Sequence, residues 1–231
     1  MTTLFLSRLH FPVTVLGPGK RVGIWFQGCS LRCPGCISAD TWRPRRGRTT
    51  VASVIETVRP WLRDADGVTI SGGEPFEQPA ALVALLAAIR GTFDGDILVY
   101  TGLELSAIDD VLHRAEGLID ALITGPYRND LPQTLPLRGS DNQNLHLLTD
   151  LGRRRFADLG AASGDTAPVL DAMFDADGTI WFAGIPRQGD FERLRAGLTA
   201  AGHTVAVSVE RSVVRGRRDE RGDDQEVSEM L

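Results

Sequence analysis

Residues 29–36 read Cys29-Ser30-Leu31-Arg32-Cys33-Pro34-Gly35-Cys36, a C-x-x-x-C-x-x-C spacing that holds every cysteine of the 231-residue chain. All its thiol chemistry therefore sits in one short loop. Thiolates this close cannot all form unstrained disulfides with one another, and an odd count leaves one over. A shared inorganic partner is the simpler account. Three thiolates suit a [4Fe–4S] cluster in which one iron lacks a protein ligand and stays open to a substrate or cofactor. Structural zinc is the competing reading. It normally takes four protein ligands, and His10, His113, His146 and His203 are all distant in sequence.

Working outward, residues 22–27 form a short apolar run with Trp25 and Phe26, bounded by Gly17, Gly19 and Gly28. This reads as a buried strand that delivers the cysteine loop. Thr50 is placed to cap a helix over 51–63, with Val54, Ile55, Val58 and Leu62 on one face. Residues 68–71 read as a second strand. Pro79 opens a helix carrying Leu82, Leu85, Leu86 and Ile89 at helical spacing. Residues 97–100 read as a third strand and 118–123 as a fourth. Between them, Ser106 and Asp109 resemble a capping pair.

Strands alternating with helices imply parallel βαβ units, whose reactive loops lie at the strand C-terminal ends. The cysteine loop, Gly72-Gly73-Glu74, Thr101-Gly102 and Gly125-Pro126 should therefore meet on one rim.

The pattern changes after about Gly160. Residues 161–166 are a small-residue linker. Runs at 169–174 and 179–182 flank Asp177-Gly178, a hairpin signal. A helix over 189–201 and a strand over 204–209 complete a small α/β appendix. From Arg211 the chain is charge-rich with little to bury and reads as disordered. The expected organisation is a core over 1–160, an appendix over 167–210 and a tail over 211–231.

Composition narrows the function classes. A net charge of −5 argues against a general nucleic-acid binder. No apolar run is long enough to span a membrane, and residues 1–12 lack the layout of a secretory signal. Free cysteines without such a signal point to a reducing cytoplasm.

A cysteine triad after the first strand and Gly72-Gly73-Glu74-Pro75 after the second resemble the radical S-adenosylmethionine (SAM) superfamily. The resemblance covers most of residues 14–150. It implies a partial (β/α) barrel and a [4Fe–4S] cluster ligated by Cys29, Cys33 and Cys36. The open iron would be chelated by the amino and carboxylate groups of SAM. It also implies reductive cleavage of SAM to methionine and a 5′-deoxyadenosyl radical, which abstracts hydrogen from a substrate. Gly72, Gly73, Glu74, Thr101 and Asn142 are the expected SAM contacts, with Glu74 a negative partner for the SAM ammonium. For Thr101, a hydroxyl that serves its own turn is an equally good reading.

Further motifs narrow the group. Gly17-Pro18-Gly19, Trp25-Phe26-Gln27-Gly28-Cys29, Cys33-Pro34-Gly35-Cys36 and Asp40-Thr41-Trp42 are similar to the anaerobic ribonucleotide reductase activating proteins. So are Tyr100-Thr101-Gly102, Asp120 with Thr124-Gly125-Pro126, and Arg138-Gly139-Ser140 with Asn142-Gln143. This resemblance implies an activase that plants a radical on a glycine of a large partner enzyme and draws its electron from a flavodoxin- or ferredoxin-type reductant. Two alternatives stay open: a radical SAM enzyme acting directly on a small molecule or peptide, and a non-catalytic metal-binding or electron-transfer protein. The appendix is extra to compact activases, and would either select a different partner or cover the open side of the barrel.

Overall fold

A computed structural model describes residues 2–160, 170–174, 180–187 and 189–203. The expected linker, the hairpin turn at Asp177-Gly178, the strand over 204–209 and the tail over 211–231 lie outside the described residues. Among the described residues, no helix is long and apolar enough to cross a membrane.

The frame is a mixed α/β arrangement around one seven-stranded sheet. Its central strands are β2 (Arg21–Phe26), β4 (Gly67–Gly72), β5 (Asp96–Tyr100) and β6 (Ala121–Thr124), paired in parallel in that order. Three further strands flank them. β1 (Thr3–Val13) runs antiparallel to β2, β3 (Arg48–Thr50) antiparallel to β1, and β7 (Asn144–Leu147) antiparallel to β6. Every residue of β2 is buried, as a central strand covered on both faces requires.

Strand alternation sorts the core. Val22, Ile24 and Phe26 join Val68, Ile70, Ile97 and Val99 on one face. Against it lie α1 (Val51–Leu62) and α2 (Pro79–Arg90), with α3 (Asp109–Arg114) beside α2. The Thr50 side chain accepts from Ser53 N and starts α1. Pro79, with no N–H to strand, begins α2. One cap differs from expectation: Leu105–Ala107 is a 3₁₀ turn, and α3 starts after Ile108 with no side-chain cap. Ser106 is absorbed by that turn.

The opposite face carries Trp25, Leu98, Ala121 and Ile123. Phe156 covers one part of it, just after α4 (Asp150–Arg155), which Thr149 caps. A two-stranded antiparallel hairpin, β8 (Leu170–Phe174) with β9 (Ile180–Gly184), covers another part through Met173 and Ala183. Helix α5 (Asp190–Ala200) follows.

The strand N-terminal ends hold a buried ion cluster. Arg21 is fully buried; it donates to Thr69 Oγ1 at 2.6 Å and to Asp96 Oδ1 at 2.5 Å. Arg155 closes on the other oxygen of Asp96 at 3.0 Å. The cluster pins β2, β4, β5 and α4 at the end opposite the cysteine loop.

Candidate metal and cofactor site

Beyond Phe26 the chain turns through Gly28, whose φ of +104° favours glycine. The loop then folds back on itself. Gly28 N donates to Thr41 O at 2.7 Å, Cys29 N to Trp42 O at 3.2 Å, and Gln27 Nε2 to Arg43 O at 2.7 Å. Cys36 N closes a turn on Cys33 O at 3.1 Å, with Gly35 at φ +75°. That left-handed geometry accounts for a glycine immediately before the third cysteine.

The second loop is fastened to the first. Gly73 N donates to Phe26 O and Glu74 N to Gly28 O, each at 2.8 Å. A Cβ on Gly72 would collide with the backbone of Phe26, and one on Gly73 with Gly28 O. These glycines make room for the neighbouring strand end as well as for the space above them.

Glu74 then reaches the third loop. Its Oε1 accepts from Phe76 N at 3.0 Å and from Thr101 Oγ1 at 2.8 Å, and its Oε2 accepts from Gly102 N at 2.8 Å. Thr101 Oγ1 also accepts from Leu103 N at 3.1 Å, so this hydroxyl serves its own turn. Gly125 N continues the chain to Leu103 O at 3.0 Å. The loops after β2, β4, β5 and β6 are thus hydrogen-bonded in series along one rim.

They enclose a cavity of about 230 Å³. Cys29, Cys33, Cys36, Gly72, Gly73, Glu74 and Thr101 all line it. Asn142 does not; its Nδ2 donates to Pro126 O at 2.8 Å, and the neighbouring Gln143 lines the cavity instead. Sequence reasoning missed Tyr127 and the β9 residues that also form the wall. Nothing local in the sequence signals either.

The electrostatics suit a site that waits for a charged guest. Burial pushes the Cys36 thiol up to about 11; backbone hydrogen bonding at Ser38 and the Trp42 side chain pull the other way. Burial also raises Cys29, aided by the Glu74 and Glu77 charges. The Glu74 carboxyl is raised by burial in spite of its three donors. Thiols held protonated in this way become ligands when a metal displaces the proton.

All three cysteines are free and partly exposed. Among the described residues, no three His, Cys, Asp or Glu side chains are gathered to hold a single ion. A cubane spreads three thiolates over three irons, and three Cys in one loop are the donor set for it. Two further cavity-lining groups fit such a guest. Trp42 Nε1, beside the Cys36 thiol, and the Tyr100 hydroxyl are buried and make no hydrogen bond of good geometry with protein atoms. Buried polar atoms of this kind are rarely left without a ligand or water to meet them.

Comparison with known proteins places this geometry. The family described as "4Fe-4S single cluster domain" matches residues 15–146. The anaerobic ribonucleoside-triphosphate reductase-activating protein of Escherichia coli (strain K12) is 32% identical over 148 residues, covering 60% of this chain and 96% of that protein. The protein of the same description from Enterobacteria phage T4 is 30% identical, covering 59% and 89%. The pyruvate formate-lyase-activating enzyme of Clostridium pasteurianum is 40% identical over 75 residues, 30% of this chain and 32% of that enzyme. Among solved structures, QueE from Escherichia coli aligns with a TM-score of 0.35 and 18% identity, covering 43% of this chain and 52% of that one. The chain belongs to the 4Fe-4S single cluster domain family and, within it, to the radical SAM activating-protein group, whose cofactors are a [4Fe–4S] cluster and SAM.

Proposed function

We propose that this protein is a glycyl-radical activase acting on a partner of the anaerobic ribonucleotide reductase type. The observation that carries the reading is the match to nearly the whole length of the Escherichia coli activating protein, joined to a cavity lined by all three cysteines and the Gly72-Gly73-Glu74 loop. When bound, the cluster supplies one electron that splits SAM into methionine and a 5′-deoxyadenosyl radical, the hydrogen abstractor.

The protein's own part is to hold and orient. Cys29, Cys33 and Cys36 would ligate three irons. Gly72 and Gly73 would present backbone to SAM, and Glu74 would spend its remaining acceptor capacity on the SAM ammonium. Thr101 would act through Glu74. Asn142 would reach SAM only by turning away from Pro126. The sheet would form the curved wall of a partial barrel, entered from the side by the partner's glycine-bearing loop. The core would run over 1–160 and the appendix over 167–210, with a charged tail beyond. A flavodoxin- or ferredoxin-type protein would supply the electron, in the cytoplasm, where free cysteines persist.

Two measurements on anaerobically reconstituted protein test this. With SAM and a strong reductant, the native chain should form 5′-deoxyadenosine and the Cys29→Ala variant should not. With a glycyl-radical enzyme of the anaerobic ribonucleotide reductase type, electron paramagnetic resonance should show a backbone radical on that partner. 5′-Deoxyadenosine formation without any partner radical, stimulated instead by a small molecule or peptide, would replace the activase by the direct-acting enzyme.

A further inference from the structure

The family match ends at residue 146, and the Escherichia coli relative is 96% covered by only 60% of this chain. The β8–β9 hairpin lies beyond that match, yet it does not stand apart. Met173 and Ala183 pack against Val13, Leu16 and Trp25. Trp181, opposite Met173 in the hairpin register, meets Trp25 edge to face at 4.6 Å between ring centroids, with the Arg8 guanidinium 4.6 Å over its ring.

Two polar ties hold the flanks. The Asp171 carboxylate accepts from Thr14 N at 2.6 Å and from Thr14 Oγ1 at 2.8 Å. Gln133 Nε2 donates to Pro186 O at 3.1 Å from the other side. Trp181, Phe182, Ala183, Ile185 and Pro186 thereby line the cavity that the cysteines line. An apolar wall here keeps water from reactive groups and narrows the way in.

We propose that the β8–β9 hairpin and the Ile185–Pro186 segment are an access wall of the cluster cavity, which admits a slender extended polypeptide segment and excludes bulkier groups. The proposal deepens the activase reading, since a glycine-bearing loop is the slenderest segment a protein can insert. It assigns the appendix to substrate access rather than to the chemistry.

The wall can be measured without any cofactor, because the only cysteines of the chain are the three in this cavity. On the full-length apo-protein, the alkylation rates of these thiols are compared for iodoacetamide and for a bulky aryl maleimide. The native chain should discriminate strongly against the bulky reagent. Trp181→Ala, which opens the wall, and Asp171→Ala, which unties it from outside the cavity lining, should each raise the bulky-reagent rate severalfold and reduce the discrimination. Circular dichroism identifies any variant that loses its fold. Asp171→Ala, made at the edge of the hairpin, decides the matter should Trp181→Ala do so. Native-like rates and discrimination in a folded Asp171→Ala and a folded Trp181→Ala overturn the wall. A native chain that forms no partner radical after reconstitution would remove the activase reading and leave the thiol result standing.

Discussion

Thr101 donates its hydroxyl to Glu74 Oε1 at 2.8 Å, joining the loop after β5 to the loop after β4 at the wall of the cysteine cavity. The bond is one of three that the Glu74 carboxylate accepts, the others coming from Phe76 N and Gly102 N. Glu74 is therefore committed to the protein before any ligand arrives. Its backbone is committed too, through Glu74 N to Gly28 O at the mouth of the cysteine loop. One residue sets the spacing of the loops that carry the cysteines, the glycine pair and Thr101.

Glu74→Ala should accordingly lower folding stability and SAM affinity together. Each hydrogen bond to a charged group is worth ~1.5–3 kcal/mol, and here several are lost at once in a buried position. Urea denaturation of the apo-protein and SAM titration of the reconstituted protein are the paired measurements. A weaker SAM affinity with an unmoved urea midpoint would confine Glu74 to ligand contact and deny it the bracing role.

The far end of the sheet offers a contrasting prediction. Asp96 is fully buried between Arg21, also fully buried, and Arg155. Asp96→Ala would leave the Arg21 guanidinium without a countercharge in the interior, a change that costs about 3–5 kcal/mol. The urea midpoint should fall steeply. The cavity lies at the opposite strand ends, so the folded fraction should load iron as the native chain does. A change of under about 1 kcal/mol would mean that water reaches Arg21 and relieves it.

The Cys36 thiol gives a pH dependence with a definite sign. Burial raises it from an ordinary 9.0 to about 11. Between those two values the folded apo-protein holds more protons at this site than the unfolded chain does. Stability contributed by the protonated thiol is thus fully present below 9 and is lost as pH rises toward 11. The urea midpoint of the apo-protein should fall across that window. The fall should be shallower in Cys36→Ala, which has no proton to lose; an equal fall in both would assign the effect elsewhere.

Much of the frame was legible because its periodicities are clean. In β2, β4 and β5 the short apolar runs are bounded by glycine or aspartate, and α1 and α2 repeat at helical spacing with a threonine cap and an initial proline. β1 was not legible. Its pairing with β2 shifts register between Leu6 and Arg8 and again before Val13, which breaks the two-residue alternation. β3 and β7 are short flanking strands set by their partners. The buried Arg21–Asp96 pair was not legible, because burial of an ion pair is a tertiary fact with no local signature. The cysteines and the glycine loop were legible as a motif. The collision that Gly73 avoids with Gly28 O, and the approach of Trp181 to Trp25, were not, since each depends on segments far apart in the chain.

Trp42 supplies the last prediction. It follows the 3₁₀ turn Ala39–Thr41, which folds the chain back so that Trp42 O receives Cys29 N. Its indole nitrogen is buried on the cavity wall beside Cys36, near enough to lower that thiol's pKa but without a hydrogen bond of good geometry to any protein atom. With the cluster bound, its sulfurs and the Cys36 sulfur would offer this N–H a full acceptor, and hydrogen bonds to such sulfurs help to set the reduction potential. Such a bond stabilises the more negative, reduced state. Trp42→Phe keeps the ring packing and removes only the donor, so it should shift the cluster potential to more negative values while leaving iron content unchanged. Redox titration followed by electron paramagnetic resonance measures the shift. A potential equal to that of the native protein would mean that the indole hydrogen points away from the sulfurs, leaving Trp42 a packing residue of the cysteine loop.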